Sequence, residues 1–341
     1  MNRIAVIGAG AWGTALALAA RRAGRDVLLW ARDPALAEAI GRSGQNRAYL
    51  PGIAIDPAIR ATADAAALGV AEALLLAVPA QHVRALLALL GGHLPPGAPL
   101  VLCAKGIERD SLMLPVEVAA GLEPGRPLAV LSGPSFAAEV AAGLPTAVTV
   151  AAVDPALAQL LVTALGSAEL RPYASGDPVG VGIGGALKNV LAIACGIVIG
   201  RGLGDNARAA LIARGLAELV RLGLAKGAKP ATLMGLAGLG DLALTCTSRQ
   251  SRNLGLGIAL GEGRSLAEAL AGQRGVVEGA FSAAAAVALA RRHGVAMPIS
   301  EAVDAILNRG ASIGTTIARL LARPLRPEDE GWAMEPPAGI G

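Results

Sequence analysis

The segment GAGAWGTALA (residues 8–17) follows directly on the apolar, β-branched run RIAVIG (3–8) and opens a stretch of Ala and Leu that Gly24 stops. Seven of its ten residues are Gly or Ala, and its one hydroxyl is Thr14. Gly8, Gly10 and Gly13 stand at the spacing G-x-G-x-x-G between a strand and a helix, and that context gives the spacing its meaning. Gly8 permits the sharp turn, Gly10 leaves the main chain open to close approach, and Gly13 lets the helix pack on the strand. The helix N-terminus then presents N–H groups and a partial positive charge to phosphates. The absence of side chains is therefore the chemistry: main-chain amides, Ala11 included, are the ligands for a dinucleotide pyrophosphate. A glycine-rich tight turn that binds nothing is the alternative, and strand, motif and helix together favour the dinucleotide. Trp12 is larger than a helix-start core position needs; it reads equally as a lid over the nucleotide and as simple packing.

The pattern around this loop repeats. DVLLW (26–30), EALLLAVP (72–79), APLVLCAKG (98–106), PLAVLSGP (127–134), TAVTVAA (146–152) and AELRPYAS (168–175) read as strands separated by helical stretches. Continuous apolar strands in this alternation imply a parallel sheet covered on both faces. From residue 180 to 322 apolar residues recur at three and four, with no convincing strand. The expectation is an α/β chain: a Rossmann-type doubly wound sheet over 1–177, an all-α domain over 178–323 and a Pro-rich tail over 324–341. Two domains suit 341 residues.

Composition excludes several classes. Hydrophobic residues make up 54% and charged residues 16%, enough for large cores and too few charges for disorder. The net charge of +4 is mild, aromatics are 2%, and no Lys/Arg run is long, so nucleic acid is not an expected partner. Cys103, Cys195 and Cys246 lie far apart with no C-x-x-C, against a disulfide framework or zinc site and in keeping with a reducing, cytoplasmic compartment. His82, His93 and His293 lack ligand spacing and read as surface or loop residues; no metal is expected. The run VGVGIGGALKNVLAIACGIVIG (179–200) is divided by Lys188 and Asn189 into pieces too short to span a bilayer, which favours a buried helix and no stable membrane insertion.

Polar residues then stand out where apolar ones belong. At the end of the second strand, in WARDP, Arg32 can pair with a ribose 2′-phosphate and favours NADP(H), while Asp33 keeps NAD(H) open. Lys105 closes the strand VLCAK, and Ser132, Gly133, Pro134 and Ser135 follow another strand. The stretch LAGLGDLALTCTSRQSRNLG (236–255) carries Asp241, Thr245, Ser251, Arg252 and Asn253. A buried ammonium is costly unless paired or at work. Lys188 reads as an ion pair with Asp241 or as a catalytic group, and catalysis is favoured. A lysine of lowered pKa can protonate the alkoxide that hydride transfer creates, with Lys105 as a second cation beside the oxyanion. Ser251, Arg252 and Asn253 at a helix start make a phosphate receptor.

At these residues the chain resembles bacterial NAD(P)-dependent glycerol-3-phosphate dehydrogenases. VIGAGAWGTALA, LCAKGIE, LSGPSFAAEV, GALKNVLAIACG, LAGLGDLALTCTSRQSRN and VVEG occur in family order from residue 6 to about 279. The resemblance implies reversible reduction of dihydroxyacetone phosphate to sn-glycerol 3-phosphate, feeding glycerophospholipid synthesis. It implies Lys188 as the proton acceptor in oxidation, with Lys105, Gly133, Ser135, Asn189, Asp241, Ser251, Arg252 and Asn253 on the substrate. Trp12, Arg32, Lys105, Ala137, Arg252, Val276 and Glu278 would contact NADP(H) or NAD(H). The active site is then expected in the cleft between the two domains, and an exposed apolar helical face would allow a homodimer. Ala11 departs from the Ser of many members, which lowers the expected cofactor affinity slightly. Two rival functions stand beside this one. A 3-hydroxyacid or 2-ketopantoate dehydrogenase would share the plan but bind a carboxylate. A non-catalytic nucleotide-binding regulator would need the glycine loop but not Lys188, Asp241 and Arg252.

Overall fold

A computed structural model of the chain describes residues 1–271, 277–325 and 327–328. It forms two compact units, Met1–Ala104 with Pro115–Val181, and Lys105–Leu114 with the chain from Gly182 on. The segment Lys105–Leu114, which a single cut at residue 177 leaves with the sheet, thus belongs to the second unit.

The first unit is one eight-stranded sheet with helices on both faces. Its strands are β1 (Arg3–Ile7), β2 (Asp26–Trp30), β3 (Arg60–Thr62), β4 (Ala73–Leu76), β5 (Leu100–Leu102), β6 (Leu128–Ser132), β7 (Thr146–Ala152) and β8 (Leu170–Ser175). Their spatial order is β3-β2-β1-β4-β5-β6-β7-β8. The helices are α1 (Ala11–Arg22), α2 (Pro34–Ser43), α3 (Val83–Leu90), α4 (Pro115–Leu122), α5 (Ala137–Ala141) and α6 (Pro155–Leu165). The two-residue period of a strand sends Ile4 and Val6 into one core with α1, α2, α5 and α6, and Ala5 and Ile7 into the other with α3 and α4. That is why these strands carry unbroken apolar runs rather than alternation.

Two features depart from the sequence reading. β3 was not expected: its three residues, Arg-Ala-Thr, are exposed or half-buried and carry no apolar run. The sheet is also not wholly parallel, because β6 and β7 pair antiparallel, while β7 and β8 are parallel to each other. The connection from β6 to β7 holds only the five-residue α5. At 1.5 Å per residue that helix is about 8 Å long, short of the roughly 16 Å of a five-residue strand, so the chain turns back instead of crossing over.

Among the described residues no strand follows Ser175; the rest is helical, as the spacing predicts. The helices are α7 (Pro178–Gly200), α8 (Gly204–Ala225), α9 (Pro230–Leu233), α10 (Asp241–Thr247), α11 (Arg252–Gly261), α12 (Leu266–Ala271), α13 (Glu278–Arg292), α14 (Pro298–Arg309) and α15 (Ile313–Leu321). Among the described residues α7 is the one helix long and apolar enough to cross a membrane, and 94% of its apolar window is buried within the protein. It is a core helix. Close approach explains its glycines. A Cβ on Gly196 would lie 2.2 Å from Leu254 O, and one on Gly200 2.3 Å from Ile258 O. Gly257 and Gly261 of α11 answer them across the contact, at 2.1 Å from Ile193 O and 2.7 Å from Ile197 O. Small residues at i and i+4 on both helices thus bring the two backbones into contact, and set α11 against the helix that carries Lys188.

A buried carboxylate fixes another helix. Glu218, on α8 and 1% exposed, accepts from Ile299 N (2.5 Å), Ser300 N (3.1 Å) and Ser300 Oγ (2.8 Å) at the start of α14. Arg221, one turn on, donates to Ala296 O at 2.8 Å. Burial pushes the Glu218 carboxyl up to about 7, against the pull of these donors and of Arg221.

Candidate functional site

In the sheet unit the glycine loop sits where β1 is flanked by β2 on one side and β4 on the other, at the carboxyl ends of the strands. This is the switch point at which doubly wound sheets bind ligands. Each glycine has its own reason. Gly8 has φ +113°, and a Cβ there would lie 2.6 Å from Ala77 O. A Cβ on Gly13 would lie 1.8 Å from Gly8 O, so only glycine lets the helix cross the strand end. A Cβ on Gly10 would meet no atom of the described residues within 4 Å. The main chain at Gly10 is bare toward open space, which is the cradle a pyrophosphate requires.

The start of α1 supports the same reading. Asp33 and Asp154 cap α2 and α6 by accepting from Ala35 N and Ala156 N, both at 2.9 Å. α1 begins at Gly10 with no side-chain cap. A helix start leaves donors that must find partners, and here the sequence supplies no capping oxygen. Ala11 and Trp12 are half-buried against the sheet's core. Arg32 is exposed and, among the described residues, makes no hydrogen bond or ion pair, whereas Asp33 spends its carboxylate on the cap. On the same edge of the sheet, after β6, Gly133 adopts φ +144° over the main chain of Val148, and Ser135 Oγ donates to Gly133 O at 2.8 Å. Ala137 opens α5 beside them.

In the helical unit three charges meet. Lys188 of α7 donates to Asp241 Oδ1, and Lys105 donates to Asp241 Oδ2 at 2.8 Å. Asp241 is fully buried and Lys188 is 7% exposed. Lys188 also donates to Thr245 Oγ1 at 3.1 Å, and Thr245 Oγ1 donates to Asp241 O at 2.6 Å. Asp241 is delivered to this point by a π-helical turn, Leu236–Gly240, pressed against α7 at Gly184, where a Cβ would lie 2.3 Å from Ala237 O. Two ammonium groups share one carboxylate, Lys188 on Oδ1 and Lys105 on Oδ2. Burial pushes the Lys188 amine down to about 8; Asp241 opposes this and the neighbouring Lys105 adds to it. Such a group can both give and take a proton near neutral pH.

Two carboxamides extend the cluster. Asn189 Nδ2 donates to Lys105 O (3.2 Å), Asn253 Nδ2 to Asn189 Oδ1 (2.9 Å), and Gly279 N to Asn253 Oδ1 (3.0 Å). Ser251 caps α11 by accepting from Leu254 N at 3.2 Å. Arg252, the first residue of α11, is exposed and makes no hydrogen bond or ion pair among the described residues. Glu278 opens α13.

Known proteins match these features along nearly the whole chain. Residues 3–158 match the family described as NAD-dependent glycerol-3-phosphate dehydrogenase N-terminus, and residues 177–318 the corresponding C-terminus. Glycerol-3-phosphate dehydrogenase [NAD(P)+] of Parvibaculum lavamentivorans is 55% identical over 96% of this chain and 98% of its own length. That of Rhodospirillum rubrum is 56% identical over 96% of this chain and 94% of its own. The crystal structure of glycerol-3-phosphate dehydrogenase from Coxiella burnetii superposes with a TM-score of 0.91 at 39% identity, covering 94% of this chain and 99% of that one. The chain belongs to the NAD-dependent glycerol-3-phosphate dehydrogenase family.

Within this dehydrogenase family chain, the expected residues fall into two groups. Gly8, Gly10, Ala11, Trp12, Gly13, Arg32, Gly133, Ser135 and Ala137 lie in the sheet unit, and Lys105, Lys188, Asn189, Asp241, Ser251, Arg252, Asn253 and Glu278 in the helical one. Val276 lies outside the described residues. The three thiols are buried and form no disulfide among the described residues, and His82, His93 and His293 are exposed. Sequence reasoning missed Asn46, which is fully buried and donates to the glycine loop. Nothing in the polar, turn-like stretch GQNRAYLPG (44–52) marks it as interior.

Proposed function

We propose that this chain reduces dihydroxyacetone phosphate to sn-glycerol 3-phosphate reversibly, with NADPH or NADH, in the cytoplasm and for glycerophospholipid synthesis. The sheet unit is the dinucleotide domain and the helical unit the substrate domain. The observation that carries the reading is the Lys188–Asp241–Lys105 cluster: one buried proton donor of lowered pKa, one orienting carboxylate and a second ammonium on the same carboxylate.

When bound, the nicotinamide supplies the hydride. Lys188 gives a proton to the carbonyl oxygen as it becomes an alkoxide, and takes it back when the alcohol is oxidised. Asp241 and Thr245 hold the Lys188 amine in place. Lys105 offers its charge to the developing oxyanion, where a positioned cation is worth most. Arg252, uncommitted among the described residues, takes the phosphate ester with the α11 N-terminus capped by Ser251. The amide chain of Asn189 and Asn253 keeps α11, α13 and the Lys105 main chain in register around it. The bare peptides of Gly8–Gly13 hold the pyrophosphate and Arg32 the 2′-phosphate, with Gly133, Ser135, Ala137, Val276 and Glu278 completing the contacts.

The test is to follow oxidation of NADPH and of NADH separately, with dihydroxyacetone phosphate and with 2-ketopantoate as acceptors. Turnover with the phosphate ester supports the reading. Turnover with ketopantoate alone, or tight nucleotide binding with no turnover of either acceptor, overturns it in favour of a carboxylate enzyme or a regulator.

A further inference from the structure

A loop built from three glycines has no side chains to hold its shape, and glycine has the most conformational freedom to lose. Main-chain bonds fix its two ends: Gly8 N donates to Trp30 O and Thr14 N to Gly10 O, both at 2.9 Å. Between them lies the peptide joining Ala9 to Gly10. Ala9 is 5% exposed, and a buried carbonyl has to be paired. Its partner comes from far along the chain. Asn46 Nδ2 donates to Ala9 O at 2.8 Å and to Thr14 Oγ1 at 2.8 Å, and Asn46 Oδ1 accepts from Tyr49 N at 3.3 Å.

A trans peptide is planar, with its C=O and N–H on opposite sides. Holding the Ala9 carbonyl toward Asn46 therefore holds the Gly10 N–H away from it. The second donated bond ties the same nitrogen to the first turn of α1. The geometry points to Asn46 as the positioning residue of the dinucleotide loop, aiming the Gly10 amide and the α1 start at the pyrophosphate. The segment that carries it is itself pinned: Gln45 bridges to Ala54, Ile55 N donates to Gly44 O at 2.8 Å, and Leu50 and Ile55 sit in the sheet's core. The residue type is dictated by this job. Only a carboxamide offers two donors on one nitrogen and an acceptor beside it; Asp keeps the shape but presents oxygen to oxygen, and Gln is one methylene too long.

This inference rests on the dinucleotide reading above. The experiment titrates NADPH and NADH into the full-length protein by nicotinamide fluorescence, with thermal melting of the free protein alongside. Asn46→Asp should weaken both nucleotides alike by about tenfold or more, because the pyrophosphate is common to them. Thr14→Val, which removes one acceptor without changing shape, should cost roughly threefold. In steady state the loss falls on the dinucleotide KM and not on kcat at saturation or on the KM of dihydroxyacetone phosphate. A merely structural Asn46 would lower the melting temperature and leave both dissociation constants within twofold of wild type. That result in folded Asn46→Asp, or in Thr14→Val where Asn46→Asp does not fold, overturns the proposal. Wild type that binds neither nucleotide overturns the dinucleotide reading itself, and this inference with it.

Discussion

The two units build polar chemistry in opposite ways. The sheet unit removes side chains: at Gly8, Gly10 and Gly13 the main chain is exposed or bent where a Cβ would collide or obstruct. The helical unit buries them: Lys188, Asp241 and Thr245 are each under a tenth exposed, in helices otherwise filled with Leu, Val and Ala. A main-chain site is cheap to fold, since its amides need no desolvated charge, but it can discriminate little beyond shape and anionic charge. A site of buried charges is costly to assemble, and in return it can move a proton. On the function proposed, binding and chemistry fall to different kinds of physics, and substitutions should separate them.

Lys188→Ala is the widest separation. A positioned general acid contributes roughly 10²- to 10⁴-fold, so kcat should fall by about that factor while NADPH still binds within twofold of wild type by fluorescence titration. The pH profile carries the same signature. Ketone reduction needs the ammonium, so kcat/KM in that direction should fall as pH rises through about 8, and in alcohol oxidation it should rise through the same range. The apparent value belongs to the coupled Lys188–Asp241–Lys105 cluster. A variant that keeps near-normal turnover breaks the assignment of chemistry to the helical unit.

The glycines test the other side. Gly13→Ala places a methyl 1.8 Å from Gly8 O, and overpacking against main chain costs about 1–3 kcal/mol or more; both urea stability and dinucleotide binding should drop. Gly10→Ala places its methyl where no atom of the described residues lies within 4 Å, at an ordinary φ of −74°. Its stability should stay within about 0.5 kcal/mol of wild type, while its nucleotide dissociation constant rises by roughly tenfold, because the methyl stands where the phosphate must approach. Equal loss of stability in both would show that the loop is only a tight turn.

How much of this was legible follows from the same contrast. The glycine loop could be read because each missing side chain leaves a fixed spacing between a strand and a helix. Lys188 and Asp241 could be read because a charge in an apolar helix breaks a pattern. β3 left no trace, since Arg-Ala-Thr at a sheet edge is neither apolar nor alternating. The antiparallel turn at β7 depended on the length of α5, which composition does not reveal. Asn46 and Glu218 were invisible for a further reason. Each is a polar residue in a setting where polarity is unremarkable, a turn and a helix with Arg221 one turn away, and only the three-dimensional packing makes them interior.

Glu218 gives a thermodynamic effect, away from both sites. Its folded value of about 7 lies above the ordinary 4.5 because burial penalises the carboxylate. Between those values the folded state holds a proton that the unfolded state has lost, so stability falls as pH rises from about 5 to 7 and then levels. The span corresponds to about 3 kcal/mol at most. Urea midpoints at pH 5, 6, 7 and 8 check the slope, and Glu218→Gln, which cannot ionise toward Ile299, Ser300 and Arg221, should flatten it.

Arg32 offers the sharpest discrimination, because it asks the main-chain site to do what main chain cannot. Bare amides see the pyrophosphate, which NADPH and NADH share; only a side chain can see the 2′-phosphate that distinguishes them. Asp33, the one acid placed to favour a ribose hydroxyl, already accepts from Ala35 N as the cap of α2. Arg32 is exposed and uncommitted among the described residues. Arg32→Ala should therefore weaken NADPH by about tenfold at low salt, with the gap narrowing as salt is raised, since an exposed charge is screened over roughly 10 Å at 0.1 M. NADH binding should stay within twofold. Equal weakening of both nucleotides would remove Arg32 from the 2′-phosphate and leave the sheet unit with shape recognition alone.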